Sequence, residues 1–162
     1  MSERPYPRGL AHVGFTVPDI DAAVEWYRDV FGFNLVLGPL SVENEGFFGD
    51  QVTDLFGEFE EMKIAHLSTG NQIGIELFEW DQTEGESDPD PFSSGLFHLS
   101  IIDPEVEELA QRIDDHGGDA YSEVWGVNSE DDDYKLAYCK DPWGNYIEVF
   151  SHSNERIYSN LE

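Results

Sequence analysis

The sequence predicts an α+β protein built from two βαβββ modules, and three features carry that reading. Apolar residues alternate with period two in eight short runs, interrupted twice by a helix-spaced stripe, so that the order strand–helix–strand–strand–strand occurs twice. The two occurrences align without a gap through their first strand and helix at a constant offset of 86 residues. His12 matches His98, Pro18 matches Pro104, Ile20 matches Val106, Asp21 matches Glu107 and Gly32 matches Gly118. At the other end Ile75-Glu76-Leu77-Phe78 matches Ile147-Glu148-Val149-Phe150, each run following a Gly-Asn turn. Two such modules predict a curved, mostly antiparallel mixed sheet with helices on its convex side.

Taken in order, Leu10 to Val17 alternates as a strand, with Ala11, Val13, Phe15 and Val17 on one face and His12, Gly14 and Thr16 on the other. Asp19 is a helix N-cap, Ile20, Ala23, Val24, Tyr27 and Phe31 form an apolar stripe, and Gly32 stops the helix. Phe33 to Leu40 reads as a second strand. Residues 41–59 read as a loop or short irregular elements, too aromatic for a solvated linker. Glu61 to Ser68 and Gln72 to Trp80 form a hairpin around Thr69-Gly70-Asn71. The first module therefore spans residues 1–80, and the acidic stretch 81–94, with Pro89 and Pro91, reads as a linker.

The second module, residues 95–152, repeats the pattern. Leu96 to Ile102 is a strand, and Pro104 to His116 a helix with Val106, Leu109, Ala110 and Ile113 inward. Tyr121 to Val127 and Tyr134 to Lys140 are strands separated by the acidic turn Glu130-Asp131-Asp132-Asp133. The turn Asp141-Pro142-Trp143-Gly144-Asn145 then leads into the strand Tyr146 to Phe150. Residues 153–162 read as a polar tail.

Composition excludes several function classes. The chain of 162 residues carries 35 acidic and 8 basic side chains, a net charge of −27, which disfavours nucleic acid and anionic membranes as partners. The acids are spread along the chain, and a surface so acidic and poor in lysine resembles proteins of salt-accumulating halophiles, where salt screens self-repulsion. No apolar run reaches membrane-spanning length and the first residues form no signal peptide. The single Cys139 excludes an internal disulfide framework. A cytoplasmic protein with a small-molecule substrate is expected, and a homodimer is the default assembly.

Strand phase points to chemistry. Glu76 and Glu148 sit inside Ile-Glu-Leu and Ile-Glu-Val runs, where an unpaired carboxylate is costly. His12, Glu76, His98 and Glu148 all fall on the face away from the aliphatic one that the helices cover. Folding the repeats about a pseudo-twofold axis would bring two imidazoles and two carboxylates together, a donor set suited to Zn, Ni, Co, Mn or Fe. Trp80, Tyr146, Phe150 and Tyr138 would wall a substrate pocket. His66 reads as structural or pocket-lining, His116 as a helix C-terminal residue, His152 as exposed near a strand end, and Cys139 as an inert thiol.

The segment Ala11-His12-Val13-Gly14-Phe15-Thr16-Val17-Pro18-Asp19-Ile20, the runs Ile75-Glu76-Leu77 and Phe97-His98-Leu99, and the turn before Glu148 resemble the vicinal oxygen chelate superfamily. That group includes glyoxalase I, methylmalonyl-CoA epimerase, extradiol dioxygenases and bleomycin-binding proteins, and the resemblance covers residues 10–151. It implies a divalent metal at His12, Glu76, His98 and Glu148, a set most similar to bacterial glyoxalase I. Glyoxalase I typically grips glutathione with an Arg and an Asn four residues after its first two ligands; Thr16 and Trp80 stand there instead. The resemblance thus implies a glyoxalase-like lyase or isomerase acting on a small carbonyl compound through a metal-bound enediolate. Glu148 would be the base and Glu76 its counterpart. The alternatives are an extradiol-type dioxygenase and a non-catalytic small-molecule binding or resistance protein.

Overall fold

The computed structural model describes residues 6–85, 89–129 and 132–159. Residues 1–5 and 160–162, the linker residues 86–88, and Glu130 and Asp131 of the acidic turn lie outside them. The fold is α+β and consists of two compact units, residues 1–84 and 85–162, each a four-stranded mixed sheet with helices.

In the first unit the order is β1 (His12–Thr16), α1 (Ile20–Phe31), β2 (Asn34–Glu43), α2 (Gly46–Phe56), β3 (Glu61–Ser68) and β4 (Gly74–Trp80), with sheet order β1-β4-β3-β2. β1 runs parallel to β4, because α1 returns the chain to the same end of the sheet; the other pairs are antiparallel. Asp19 caps α1, its Oδ1 accepting from the Ala22 N–H at 3.0 Å, and Gly32 ends it at φ 68°, a left-handed conformation that glycine adopts without strain. Ile20, Ala23, Val24 and Tyr27 pack onto the sheet face formed by Phe15, Ala65, Leu67, Ile75 and Leu77. Glu79 ties the helix start to the sheet, its Oε2 accepting from the Ile20 N–H at 2.7 Å.

The second unit runs β5 (His98–Ile102), α3 (Val106–Asp115), β6 (Trp125–Gly126), β7 (Lys135–Lys140), β8 (Tyr146–Phe150) and α4 (Asn154–Tyr158), in sheet order β5-β8-β7-β6. Val106, Leu109, Ala110 and Ile113 are buried, facing Ala137, Cys139, Ile147 and Val149.

Three sequence expectations are corrected. Residues 41–59 are not irregular: β2 continues to Glu43, and α2 occupies Gly46–Phe56. Gly46, Gly49 and the absence of a capping side chain at Glu45 hid a helix that exists because Val52 packs with Phe59 and Met62. Tyr121 to Val127 is a strand only at Trp125–Gly126. Upstream of it the chain meets β7 at Asp119 opposite Lys140, then through the Ser122 N–H donating to the Tyr138 carbonyl, then at Trp125 opposite Leu136. Three edge residues are spent for every two on β7, so the ladder never becomes continuous. In the first unit the edge strand β2 also carries two register shifts, between Leu35 and Leu37 and between Leu37 and Leu40. Such irregular edges resist pairing with further strands. Finally, the polar tail contains α4, capped by Ser153 and anchored by buried Ile157.

Candidate functional site

Each unit carries a His–Glu pair on the sheet face opposite its first helix. In the first unit, β1 and β4 are in register with Gly14 opposite Glu76, which places His12 one step along the same face. His12 Nε2 lies 3.3 Å from Glu76 Oε2. β3 adds a third group, since His66 is directly opposite Glu76 and its Nε2 lies 3.5 Å from Oε1. The carboxylate is thus addressed by one imidazole at each oxygen. Two glycines make room for this arrangement. A β-carbon on Gly74 would sit 2.9 Å from His12 Cβ, and one on Gly14 would meet Glu76 Oε2 and the Phe78 ring at 3.3 Å.

In the second unit His98 Nε2 lies 3.5 Å from Glu148 Oε2. Tyr138 occupies the position of His66, directly opposite the carboxylate. Burial, reinforced by the Glu148 carboxylate beside it, holds the Tyr138 phenol above its ordinary range, so it stays protonated. The positions matching Gly14 and Gly74 are Ser100 and Tyr146. His98 Nδ1 is buried and has no hydrogen-bond partner among the described residues.

The turn before β8 aims Glu148. Asp141 is buried, and its Oδ1 accepts from the N–H groups of Trp143 at 3.0 Å and Asn145 at 2.8 Å, while Oδ2 accepts from Asn145 Nδ2 at 2.8 Å. Gly144 takes φ 88°, where a side chain would be strained. With Lys140 opposite Tyr146 across this turn, Glu148 must fall on the same face as His98.

The expected pocket residues separate. Tyr138 lies against its His–Glu pair, 5.7 Å from the His98 ring. Tyr146 flanks it, in contact with Phe97 and Tyr121. Phe150 is buried against Tyr158 of α4 and serves packing. Trp80 lies two register steps beyond Glu76, stacked on Phe78 and edge-on to Phe56 and Phe59. There it lines a cavity of about 190 Å³ with Phe56, Gly57, Glu58, Phe59, Gln82 and Thr83, none of which belongs to a His–Glu pair. His66, read from the sequence as structural or pocket-lining, stands beside Glu76. Its signal was the hairpin register, which pairs the tenth residue before Glu76 with it. His116 caps α3, with Nδ1 2.7 Å from the Arg112 carbonyl. His152 is half-buried against Tyr134 rather than exposed.

Each His–Glu pair has the donor types and the separation of two neighbouring ligands of a divalent ion. Bonds of about 2.0–2.2 Å in tetrahedral geometry put two ligand atoms about 3.4 Å apart, close to both His–Glu separations. Among the described residues no group of three or more His, Cys, Asp or Glu side chains has the arrangement to hold a metal ion. No helix among them is long and apolar enough to cross a membrane.

Known proteins share the fold and, at family level, the sequence pattern. A 2-epi-5-epi-valiolone epimerase from Actinomyces sp. is 28% identical over 159 residues, covering 93% of this chain and 84% of the epimerase. A glyoxalase family protein from Bacillus cereus shares the fold at a TM-score of 0.70 and 23% identity, over 93% of this chain and 97% of that one. Glyoxalase I from Zea mays superposes at a TM-score of 0.62 and 19% identity over 90% of this chain, which spans 45% of the maize enzyme. The sequence matches the profile of the Glyoxalase/Bleomycin resistance protein/Dioxygenase superfamily over residues 9–149, and the chain belongs to that superfamily.

Proposed function

We propose that the protein is a glyoxalase-like isomerase or lyase that moves a proton next to a carbonyl on a small substrate. His12, Glu76, His98 and Glu148 would together hold one divalent ion, Zn, Ni, Co, Mn or Fe. The observation that carries this reading is the recurrence of a His–Glu pair at equivalent register in both units, with nitrogen–oxygen separations of 3.3 and 3.5 Å. The superfamily includes enzymes, and the epimerase relative is named for a reaction that inverts a carbon centre.

A divalent ion, when bound, supplies Lewis-acid polarisation of substrate oxygens and offsets negative charge that develops on them. The chain's own residues do the rest. Glu148 takes the proton, because it is the more enclosed carboxylate and Tyr138 stands directly opposite it. Glu76 returns a proton on the other side, with His66 holding its second oxygen. The aromatic rings of Tyr138 and Tyr146 exclude water from the second pair.

Metal analysis of the purified full-length chain, combined with exchange of the C–H protons of dihydroxyacetone in D₂O, tests this reading. One divalent ion per chain is expected. Glu148→Gln should slow exchange by about 10²–10⁴-fold, the range for loss of a general base, and Glu76→Gln by less. Oxygen uptake with catechols and tolerance of Glu76→Ala would instead establish a dioxygenase; a metal-free protein would overturn the proposal.

A further inference from the structure

Only three lysines occur among 35 acidic residues, and two of them are neutralised by carboxylates. Lys63 Nζ lies 3.0 Å from Glu79 and 3.7 Å from Asp21, and Lys135 pairs with Glu107. Lys140 has no carboxylate within ion-pairing distance among the described residues. Its Nζ lies instead 4.5 Å from the ring centre of Tyr146 and 5.0 Å from that of Tyr121. The two rings meet edge to face with centroids 5.3 Å apart. Aromatic faces attract an ammonium group but do not use up its three N–H donors, so those of Lys140 stay available. In a chain this acidic, a cation kept among phenols while carboxylates are plentiful is reserved for an anion from outside.

Register gives that anion a place. Lys140 is opposite Tyr146 on β8, and Tyr146 is opposite His98 on β5, so the three share one row across the sheet face. The next row along the same face is Tyr138, Glu148 and Ser100. With neighbouring strands about 4.8 Å apart, Lys140 stands roughly 10 Å from His98 in backbone terms and diagonally next to Glu148. That span suits a molecule of a few carbons bearing a charge at one end.

We propose that Lys140, framed by Tyr121 and Tyr146, is an anion-binding site. It takes the distal carboxylate or phosphate of a small substrate whose carbonyl end reacts at the His98–Glu148 pair. This rests on the proton-transfer function proposed above and adds the substrate's class: an oxygen-rich carbonyl compound with an anionic tail.

The test uses paired probes on the full-length, metal-loaded protein, titrated by calorimetry. Dihydroxyacetone and its phosphate differ in a distal phosphate, and 2-oxobutanoate and 2-oxoglutarate differ in a distal carboxylate. In the wild type one charged member should bind at least about tenfold more tightly than its partner, the discrimination a charge-assisted hydrogen bond provides. Lys140→Met should erase that preference while leaving metal content and thermal midpoint unchanged, and Lys140→Arg should keep most of it. The pair that discriminates identifies carboxylate or phosphate as the tail. Absence of preference in a metal-loaded wild type, or a preference that survives Lys140→Met, overturns the assignment of Lys140 alone. A wild type that takes up no metal and binds no probe overturns the proton-transfer reading and this site with it.

Discussion

The two His–Glu pairs occupy the same register in the same module, yet their surroundings differ. The first pair is open: the His12 side chain is 52% exposed and Glu76 17%, against 28% and 10% for His98 and Glu148. Glycines at positions 14 and 74 clear space around the first pair, while Ser100 and Tyr146 fill the matching places beside the second. Opposite the carboxylate stands an imidazole in one case and a phenol in the other. Imidazole can donate or accept according to tautomer, whereas the Tyr138 phenol stays protonated over the working pH range. A metal bond through His98 Nε2 would place the proton on Nδ1, which has no acceptor among the described residues. The same donor pair thus recurs in two settings, one open and flanked by glycines, the other more enclosed and flanked by Ser100 and Tyr146.

The largest test of that contrast replaces the groups facing the carboxylates while keeping their rings. Tyr138→Phe and His66→Phe each remove a partner of a proposed ligand, and such losses cost about 10–100-fold in metal affinity. His66→Gln, which retains a donor, should restore much of the loss in the first unit. Metal affinity measured by chelator competition and the visible spectrum of the cobalt-loaded protein read the effect directly. Unchanged affinity in both phenylalanine variants would mean that neither residue positions a ligand.

A smaller effect is expected from Gly74→Ala. The new β-carbon would meet His12 Cβ at 2.9 Å, a distance the side chain must relieve by moving. Metal affinity should fall severalfold, and the histidine resonance of His12 should shift while that of His98 does not. Equal shifts in both would show that the clash is not local to the first pair.

The smallest expected effect concerns alkaline stability and separates the units again. Burial pushes the Cys139 thiol up to about 11, so the folded state holds a proton that the unfolded chain releases earlier. The associated stability is fully present below the unfolded thiol's pKa of about 8.5 and is lost as pH rises through 11. Tyr138 acts in the same direction. Amide exchange followed separately in residues 6–84 and 89–159 should show the second unit losing protection between pH 9 and 11, and Cys139→Ala should reduce that loss. Equal loss in both units would refute the assignment.

Most of the fold was legible because local signals agreed with the module. Asp19 and Gly32 bound α1 as capping rules require, and the Asp141–Asn145 turn fixes β8 through side-chain bonds encoded within five residues. Helix α2 was not legible, since its glycines and uncapped start argue locally against a helix that Phe59, Met62 and Val52 stabilise from a distance. The broken edge at residues 119–127 was hidden for a related reason: apolar alternation records which residues face inward, not how many are spent per step of the ladder.

The sequence alone determined the doubled module and the face on which His12, Glu76, His98 and Glu148 lie, because strand phase and repeat spacing are properties of the chain itself. Tertiary structure decided what stands opposite each carboxylate. His66 against Glu76, Tyr138 against Glu148, and Lys140 between two tyrosine rings all follow from which strands pair and in what register. A hairpin turn can set the register of two neighbouring strands, but which side chains then approach across the sheet face, and how closely, is decided by packing in the folded chain.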